Sequence, residues 1–247
     1  MNNFFQLKTK VIRLFPFTKT ISRRLRYYRR YLFESINSER YSKPAGYDMD
    51  DKLANYLSNS GFFIEAGAHD GFFESNTYYL EKFKGWDGVL IEPVPELYRE
   101  CIRQRPKAKV FNCALVSSNY DDSKLEMVSA DTMSFVKSKT KKQDTRAEIV
   151  KTWVKPEEIS VPARTLTSIL DELEVVKVDF LSLDVEGYEM SVLKGLDFSK
   201  YRPDYILMEF FLEETEREEV EAYISKYYVF CAQLSPRDRL YKCINRF

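Results

Sequence analysis

The chain has little of the side-chain chemistry that several enzyme classes require. His69 is the only histidine in 247 residues, so a Ser-His-Asp hydrolase or a zinc site with several histidines would depend on that single side chain. The four cysteines, Cys101, Cys113, Cys231 and Cys243, show no Cys-x-x-Cys spacing. This excludes a zinc ribbon and a disulfide-dense framework, and we interpret the cysteines as reduced, mostly buried thiols of a cytoplasmic protein.

Long hydrophobic runs are also missing. No run is long enough to cross a bilayer, and no signal peptide is evident. Hydrophobic residues make up 44% of the chain and charged residues 31%, which is enough for a real core under a polar surface. The length predicts one medium domain with an appendage.

The chain carries no net charge, but its charges are unevenly distributed. Nine of the 38 basic residues lie in residues 1–33, where there is no acid, so the remaining 29 basic residues face all 38 acidic ones. The main domain is therefore acidic, and its charge argues against a nucleic-acid binder.

Residues 1–45 form a basic, aromatic-rich N-terminal extension. Apolar residues recur at helical spacing on either side of Pro16, which predicts two basic amphipathic helices broken near that proline. Residues 1–33 could attach to an anionic membrane surface or an acidic partner, placing a cytoplasmic protein peripherally at the membrane. The alternative is a helical arm that packs on the domain or on a second subunit of a homodimer.

From residue 46 to residue 247, strand-like and helix-like segments alternate, apart from residues 114–160, which read as irregular around one strand at 124–128. This alternation predicts an α/β fold: a Rossmann-like, mostly parallel sheet with helices on both faces. The last two runs, 227–234 and 239–245, predict an antiparallel hairpin. Ligands of such sheets bind at the carboxyl ends of the strands. Five polar residues fall at such ends: Glu65, Glu92, Asn112, Asp184 and Glu209.

The first strand is followed by a glycine-containing loop of the form Glu-x-Gly-x-x-x-Gly, from Glu65 through Gly67 and Asp70 to Gly71. It differs from the dinucleotide pattern Gly-x-Gly-x-x-Gly, because acids stand beside both glycines. Fixed acids suit a ligand with hydroxyls and a positive group better than a pyrophosphate. S-adenosylmethionine, with its ribose, ammonium and sulfonium, is such a ligand. The alternative is an ordinary tight turn between a strand and a helix.

The second strand ends in Glu92, roughly 25 residues after Glu65, which is close to the spacing of an acid that holds ribose hydroxyls. A carboxylate can accept hydrogen bonds from both hydroxyls of one ribose. Pro93 and Pro95 then allow a turn and a helix start. Taken alone, Glu92 could also be a surface glutamate at a strand end.

A third segment, residues 181–189, ends a buried strand with Asp184 and Glu186. Acids two residues apart in extended chain point the same way, so both can face one pocket. Either could deprotonate or orient an acceptor hydroxyl, or the two could bind a divalent cation that lowers the pKa of the hydroxyl. The alternative is that Glu186 caps the next helix and Asp184 only touches a cofactor. Glu189 is expected to be a solvated helix charge.

Together these segments resemble the FkbM-type methyltransferases, a branch of the class I S-adenosylmethionine-dependent enzymes. The matching stretches lie within about residues 60–210 and leave the N-terminal extension uncovered. They are residues 63–71, 75–77, 90–93, 112–115, 161–166, 183–189 and 207–209. The stretches 161–166 (Val-Pro-Ala-Arg-Thr-Leu) and 184–189 (Asp-Val-Glu-Gly-Tyr-Glu) are the family-specific part. His69 stands where this family is expected to have asparagine, so cofactor affinity could become sensitive to pH.

The resemblance implies a seven-stranded sheet with a final antiparallel strand, and methyl transfer to an oxygen of a sugar, glycan, glycolipid headgroup or similar small metabolite. Asp184 would lie beside the methyl group and Glu186 beside the acceptor, as catalytic residues. The residues implied to bind S-adenosyl-L-methionine are Glu65, Ala66, Gly67, His69, Asp70, Gly71, Asn76, Glu92, Pro93, Asn112, Cys113 and Asp184.

Two other functions compete with this interpretation. One is a catalytically inactive adaptor that keeps the fold and acts through the basic N-terminal arm. It is disfavoured because a dead fold need not keep acids at several strand ends. The other is a nucleotide-dependent oxidoreductase, which the form of the glycine loop disfavours.

Overall fold

The structure is a computed structural model that describes residues 16–129, 134–136, 156–210 and 214–244. The chain divides into two compact units, Met1–Lys43 and Pro44–Phe247. Among the described residues, none of the helices combines the length and the apolar character needed to span a bilayer.

The first unit contains helix α1, Pro16–Ser35. A proline is tolerated in the first turn of a helix, where its missing N–H has no partner to lose. The second of the two expected N-terminal helices is therefore present, and the first lies outside the described residues. Asn37, with a φ of +59°, ends the helical region, and the N–H of Ser38 donates to the carbonyl of Phe33 (2.9 Å).

The second unit contains the strands and the remaining helices. The strands are β1 Phe62–Ala66, β2 Asp87–Ile91, β3 Lys109–Phe111, β4 Ala114–Leu115, β5 Lys124–Ser129, β6 Phe135–Val136, β7 Glu157–Arg164, β8 Phe180–Leu183, β9 Tyr205–Glu209, β10 Tyr228–Gln233 and β11 Asp238–Cys243. The helices are α2 Met49–Leu53, preceded by a 3₁₀ turn at Gly46–Asp48, α3 Tyr78–Lys84, α4 Pro95–Gln104, α5 Leu166–Glu172, α6 Glu189–Lys194 and α7 Glu214–Ile224.

Seven strands form the main sheet in the order β3-β2-β1-β8-β9-β11-β10. Strand β11 runs antiparallel to both of its neighbours, while the contiguous pairs from β3 to β9 are parallel. The predicted α/β fold is confirmed, including the antiparallel hairpin at the C-terminal end.

Alternate residues of the central strands feed two different hydrophobic cores, as the period of two of a strand requires. Ile64 and Leu181 face one core together with side chains from α5, α6 and α7. Phe63 and Phe180 face the other core, with side chains from α2, α3 and α4. Helices therefore cover both faces of the main sheet, which is why its central strands are apolar throughout.

A second sheet, in the order β4-β7-β5-β6, corrects the expectation that residues 114–160 are irregular. Strand β7 pairs parallel to β4 and antiparallel to β5, over a small core that includes Leu125, Met127 and Val161. Strands β4 and β6 have only two residues each, too few to show a period in the sequence. Residues 137–144, which form a polar run in the sequence, lie outside the described residues.

The alternation of segments predicts a helix over residues 48–59, but α2 ends at Leu53 and is therefore shorter. The side chain of Asn55 donates to the carbonyls of Asp51 (3.4 Å) and Lys52 (3.2 Å), and such bonds compete with continuation of the helix.

Candidate active site

The glycine loop after β1 passes directly over the end of β8. Gly67 has a φ of +85°, and a Cβ atom placed there would lie 1.8 Å from the backbone oxygen of Asp184. The N–H groups of Gly67 and Ala68 both donate to the carbonyl of Ile91, at 3.0 and 3.1 Å. Glycine is needed here because the loop adopts a left-handed conformation and touches neighbouring backbone at the same residue.

Glu65 forms hydrogen bonds with residues 75–77, just before α3, rather than being available mainly to a ligand. One carboxylate oxygen accepts from the N–H of Asn76 (2.8 Å), and the other accepts from the hydroxyls of Ser75 (2.8 Å) and Thr77 (2.6 Å). The guanidinium of Arg105 lies 3.3 Å from the same second oxygen. Although Glu65 lines the cleft, its hydrogen-bonding capacity is mostly used by the protein.

Arg105 is a buried residue that the sequence did not reveal. Its guanidinium donates to Glu81 (2.7 Å) as well as to Glu65, and also to the hydroxyls of Ser75 (3.1 Å) and Thr77 (2.9 Å). A buried charge of this kind is tolerated because it is paired and hydrogen-bonded. The network fixes the start of α3 against β1, and so shapes the cleft from behind.

Glu92 lies at the end of β2 and lines the same cleft. Its two carboxylate oxygens accept from the N–H groups of His69 (2.8 Å) and Val94 (2.9 Å). Burial raises the pKa of Glu92 to about 7, and these backbone hydrogen bonds only partly offset that effect. Each oxygen keeps a lone pair, so the carboxylate can still accept from a ligand. His69 has a φ of +50°, a conformation in which histidine, like asparagine, is several-fold enriched.

Three residues expected to bind cofactor support the site without lining the cleft. Asp70 is fully buried and accepts from the N–H groups of Phe72 (3.0 Å) and Phe73 (2.7 Å). Gly71, with a φ of +81°, packs against Arg105. Asn112 donates to the carbonyls of Glu92 (2.9 Å) and Pro93 (2.8 Å) and so ties the ends of β2 and β3 together.

Acidic residues cluster where β8 and β9 end. Leu183 and Met208 are paired in the parallel register, so the next residues, Asp184 and Glu209, are neighbours, and their side chains are hydrogen-bonded to each other. Burial, followed by the nearby charges of Glu209 and Glu186, raises the pKa of Asp184 well above its ordinary value. Arg237 approaches Glu209 at 3.3 Å and brings a positive charge to the edge of this acidic cluster.

Glu189 is buried, and the expectation that it is a solvated helix charge is wrong. Its carboxylate turns back to accept from the N–H of Gly187 (3.1 Å), with a longer contact to the N–H of Val185 (3.4 Å). Burial raises its pKa to about 7. Glu189 therefore holds the turn before α6, and Glu186 adopts a left-handed φ of +55° on the wall of the cleft.

The space between the walls of the cleft has a volume of about 990 Å³, including the part that is open to solvent. The expected site residues that the fold brings together along it are Glu65, Ala66, Gly67, His69, Asn76, Glu92, Pro93, Cys113, Asp184 and Glu186. Asn76 is positioned by donating to the hydroxyl of Ser182 (3.0 Å), a lining residue that the sequence did not single out. Ser182 lies on the buried strand β8, and the only sequence signal that could have pointed to it is its position just before the acids that follow this strand. Part of the cleft wall comes from the second sheet, which was not predicted from the sequence. It is formed by Met127 and Val136 on that sheet and by Tyr188 packed against it.

The lining fits S-adenosylmethionine in its chemistry. Glu92 offers carboxylate lone pairs to ribose hydroxyls, and Ile91, Leu97 and Cys113 supply an apolar wall for a flat base. Burial raises the pKa of the Cys113 thiol to about 12, which keeps that wall uncharged. The carboxyl groups of Asp184 and Glu186 provide negative potential for a sulfonium. In the described part of the chain, no group of three or more His, Cys, Asp or Glu side chains is arranged to hold a metal ion.

Comparison with known families matches residues 65–234 to the family described as Methyltransferase FkbM domain. Since the match spans more than half of the chain, the protein belongs to this family of S-adenosylmethionine-dependent methyltransferases. The comparison with curated proteins found no significant match.

Among solved structures, the chain is similar to a TehB-like SAM-dependent methyltransferase from Corynebacterium glutamicum, with 10% identity, a TM-score of 0.44, and coverage of 92% of this chain and 98% of that one. It is also similar to TrmK from M. capricolum in complex with S-adenosyl-homocysteine, with 8% identity, a TM-score of 0.40, and coverage of 78% and 65%. These likenesses are remote, and the assignment rests on the family match.

Proposed function

We propose that the protein transfers a methyl group from S-adenosylmethionine to a hydroxyl of a sugar, a glycan, a glycolipid headgroup or a similar small metabolite. The observation that carries this proposal is the hydrogen-bonded carboxyl pair Asp184–Glu209 at the strand ends, with Glu186 beside it on the cleft wall. An alcohol is a poor nucleophile at neutral pH, so methylation of oxygen calls for such a proton acceptor.

The cofactor would be held along the ends of β1, β2 and β8. Glu92 would accept from its ribose hydroxyls, and Ile91 and Cys113 would flank its base. Gly67 lets the β1 loop lie close to the backbone of Asp184, so Asp184 and the loop that would hold the cofactor line the same part of the cleft. S-adenosylmethionine supplies a methyl group already activated by a sulfonium, so most of the rate enhancement comes from positioning.

Asp184 is the proposed general base. The acceptor hydroxyl donates a hydrogen bond to a carboxylate oxygen of Asp184, and its proton moves there as the oxygen gains the methyl group. The raised pKa of Asp184 makes its ionised form a stronger base than an ordinary aspartate. Glu209 keeps the carboxyl group in place through their shared hydrogen bond, and Glu186 orients the acceptor from the cleft wall.

The test combines cofactor binding with turnover. Calorimetry with S-adenosylhomocysteine measures binding, and transfer of labelled methyl to a panel of sugars, oligosaccharides and glycolipids measures activity. Asp184→Asn is expected to keep binding and to lose about 100- to 10,000-fold in turnover. Glu96→Gln, an exposed carboxylate on α4, is the matched control and should behave as the unmodified protein.

Two results would contradict the proposal. Normal turnover by both Asp184→Asn and Glu186→Gln on the true acceptor would make these acids structural. Methylation of amines but not of hydroxyls would exclude oxygen as the acceptor atom. A chelator separates the two routes to hydroxyl activation, because it would silence a metal-assisted reaction and leave a carboxylate base unaffected.

A further inference from the structure

Helix α1 has one side that makes contacts within its own unit. The hydroxyl of Ser42 donates to Glu34 (2.8 Å), and the ring of Tyr41 meets Phe33 edge to face with their centroids 4.8 Å apart. The guanidinium of Arg29, which is exposed at the border of this side, lies over the ring of Tyr41, 3.8 Å from its centroid. The chain after the helix therefore folds back along this side.

The other side of α1 presents an apolar stripe to solvent. Its members are spaced three and four residues apart, so they share one face of the helix and its immediate continuation. The stripe consists of Leu25 (62% exposed), Tyr28 (64%), Leu32 (50%) and Ile36 (73%). Single exposed apolar side chains are common, but a continuous row of four marks a surface that meets another apolar phase.

Positive charge borders the stripe. Arg24 and Arg29 are exposed, and residues 1–33 contain nine basic residues and no acid. The rest of the chain is acidic, with 38 acids against 29 basic residues, so the charge is concentrated where the stripe lies. A long arginine side chain can lay its stem on an apolar boundary while its guanidinium reaches outward to phosphate.

We propose that α1 docks on an anionic membrane surface, with the stripe inserted at the boundary between headgroups and acyl chains and with Arg24 and Arg29 on lipid phosphates. A polar helix with one apolar face and many basic residues lies in the plane of an interface. Nucleic acid would use the charge but not the stripe, and an apolar groove of a protein would use the stripe but not the charge. This inference does not depend on the acceptor proposed above.

The test is co-sedimentation of the full chain with two kinds of vesicle: phosphatidylcholine alone, and vesicles in which phosphatidylglycerol replaces about a third of it. Binding is expected only to the anionic vesicles. The double variant Leu25→Ser/Leu32→Ser should weaken that binding by at least about tenfold through loss of inserted apolar area. Arg24→Gln/Arg29→Gln should also weaken it by at least about tenfold.

Two matched controls lie in the second unit. Val176→Ser changes an apolar side chain that is 96% exposed, and Lys107→Gln removes an exposed charge. Both should bind vesicles as the unmodified protein does. All these positions are on the surface, so circular dichroism and affinity for S-adenosylhomocysteine should be unchanged in every variant.

The outcomes separate the alternatives. If the leucine variant binds anionic vesicles as tightly as the unmodified protein, the stripe does not insert and the proposal is wrong. If no variant alters vesicle binding but the leucine variant converts a dimer to a monomer in sedimentation velocity, the stripe is a subunit contact instead. Loss of binding in both double variants, with none in the controls, supports docking on the membrane.

Discussion

Replacement of Gly67 by alanine tests the geometry on which the whole cleft depends. The added Cβ would meet the backbone oxygen of Asp184 at 1.8 Å, and neither atom belongs to a flexible side chain that can turn away. The β1 loop and the end of β8 must therefore separate by about 1.5 Å before the contact becomes ordinary. Since both segments line the cleft, the cofactor-binding surface must distort with them.

Gly85 provides a matched control for the backbone term. It also has a positive φ, +68°, but a Cβ there would have nothing within 4 Å. Gly85→Ala should cost about 1–2 kcal/mol for an alanine in the left-handed region, less a few tenths gained from a stiffer unfolded chain. Gly67→Ala carries the same cost plus about 1–3 kcal/mol for forced overpacking.

Urea denaturation of the two variants measures these costs, and calorimetry with S-adenosylhomocysteine measures the cleft. Gly67→Ala should lose about 1–3 kcal/mol more unfolding free energy than Gly85→Ala. Binding should become undetectable only in the Gly67 variant. Equal losses of stability, or equal affinity in both variants, would refute the close approach of the two loops.

Two further predictions concern charged groups. Arg105→Met should destabilise the protein by about 3–5 kcal/mol, because it leaves Glu65 and Glu81 buried without their cation. Arg103→Met, at an exposed position in the last turn of α4 just before Arg105, should cost less than about 1 kcal/mol in parallel urea titrations. Similar losses in both variants would contradict the network. Affinity for S-adenosylhomocysteine should rise by up to about tenfold from about pH 6 to about pH 8, because ribose hydroxyls donate to ionised Glu92, whose pKa lies near 7 in the free protein. The rise should vanish in Glu92→Gln, whereas a rise that persists in that variant would assign the titration to another group.

The main sheet could be predicted because its signals are local. Each central strand is a short apolar run, and the acids that end β1, β2 and β8 stand at the turns where parallel strands deliver ligand-binding residues. The cleft residues Glu92, Asp184 and Glu186 were found for this reason. That these three residues lie close together follows from the rule that parallel strands end at one edge of a sheet.

The residues that were missed depend on contacts between distant parts of the chain. Arg105 is 40 residues from Glu65, and nothing near it in sequence distinguishes it from exposed Arg103. Glu189 follows the spacing of a surface helix residue, but the turn at Gly187 draws its carboxylate inward. The pairing of Asp184 with Glu209 depends on the register of β8 and β9, which the sequence does not specify.

The cleft takes its walls from two sheets with separate cores. Met127 and Val136 reach it from the small sheet, whose buried side chains form a cluster of their own, apart from the clusters on either face of the main sheet. Substitutions in the small sheet can therefore accumulate during evolution without disturbing the packing beneath Glu92 and Asp184. Enzymes descended from one ancestor could in this way diverge in their acceptor substrates while the part of the cleft formed by the main sheet stays unchanged.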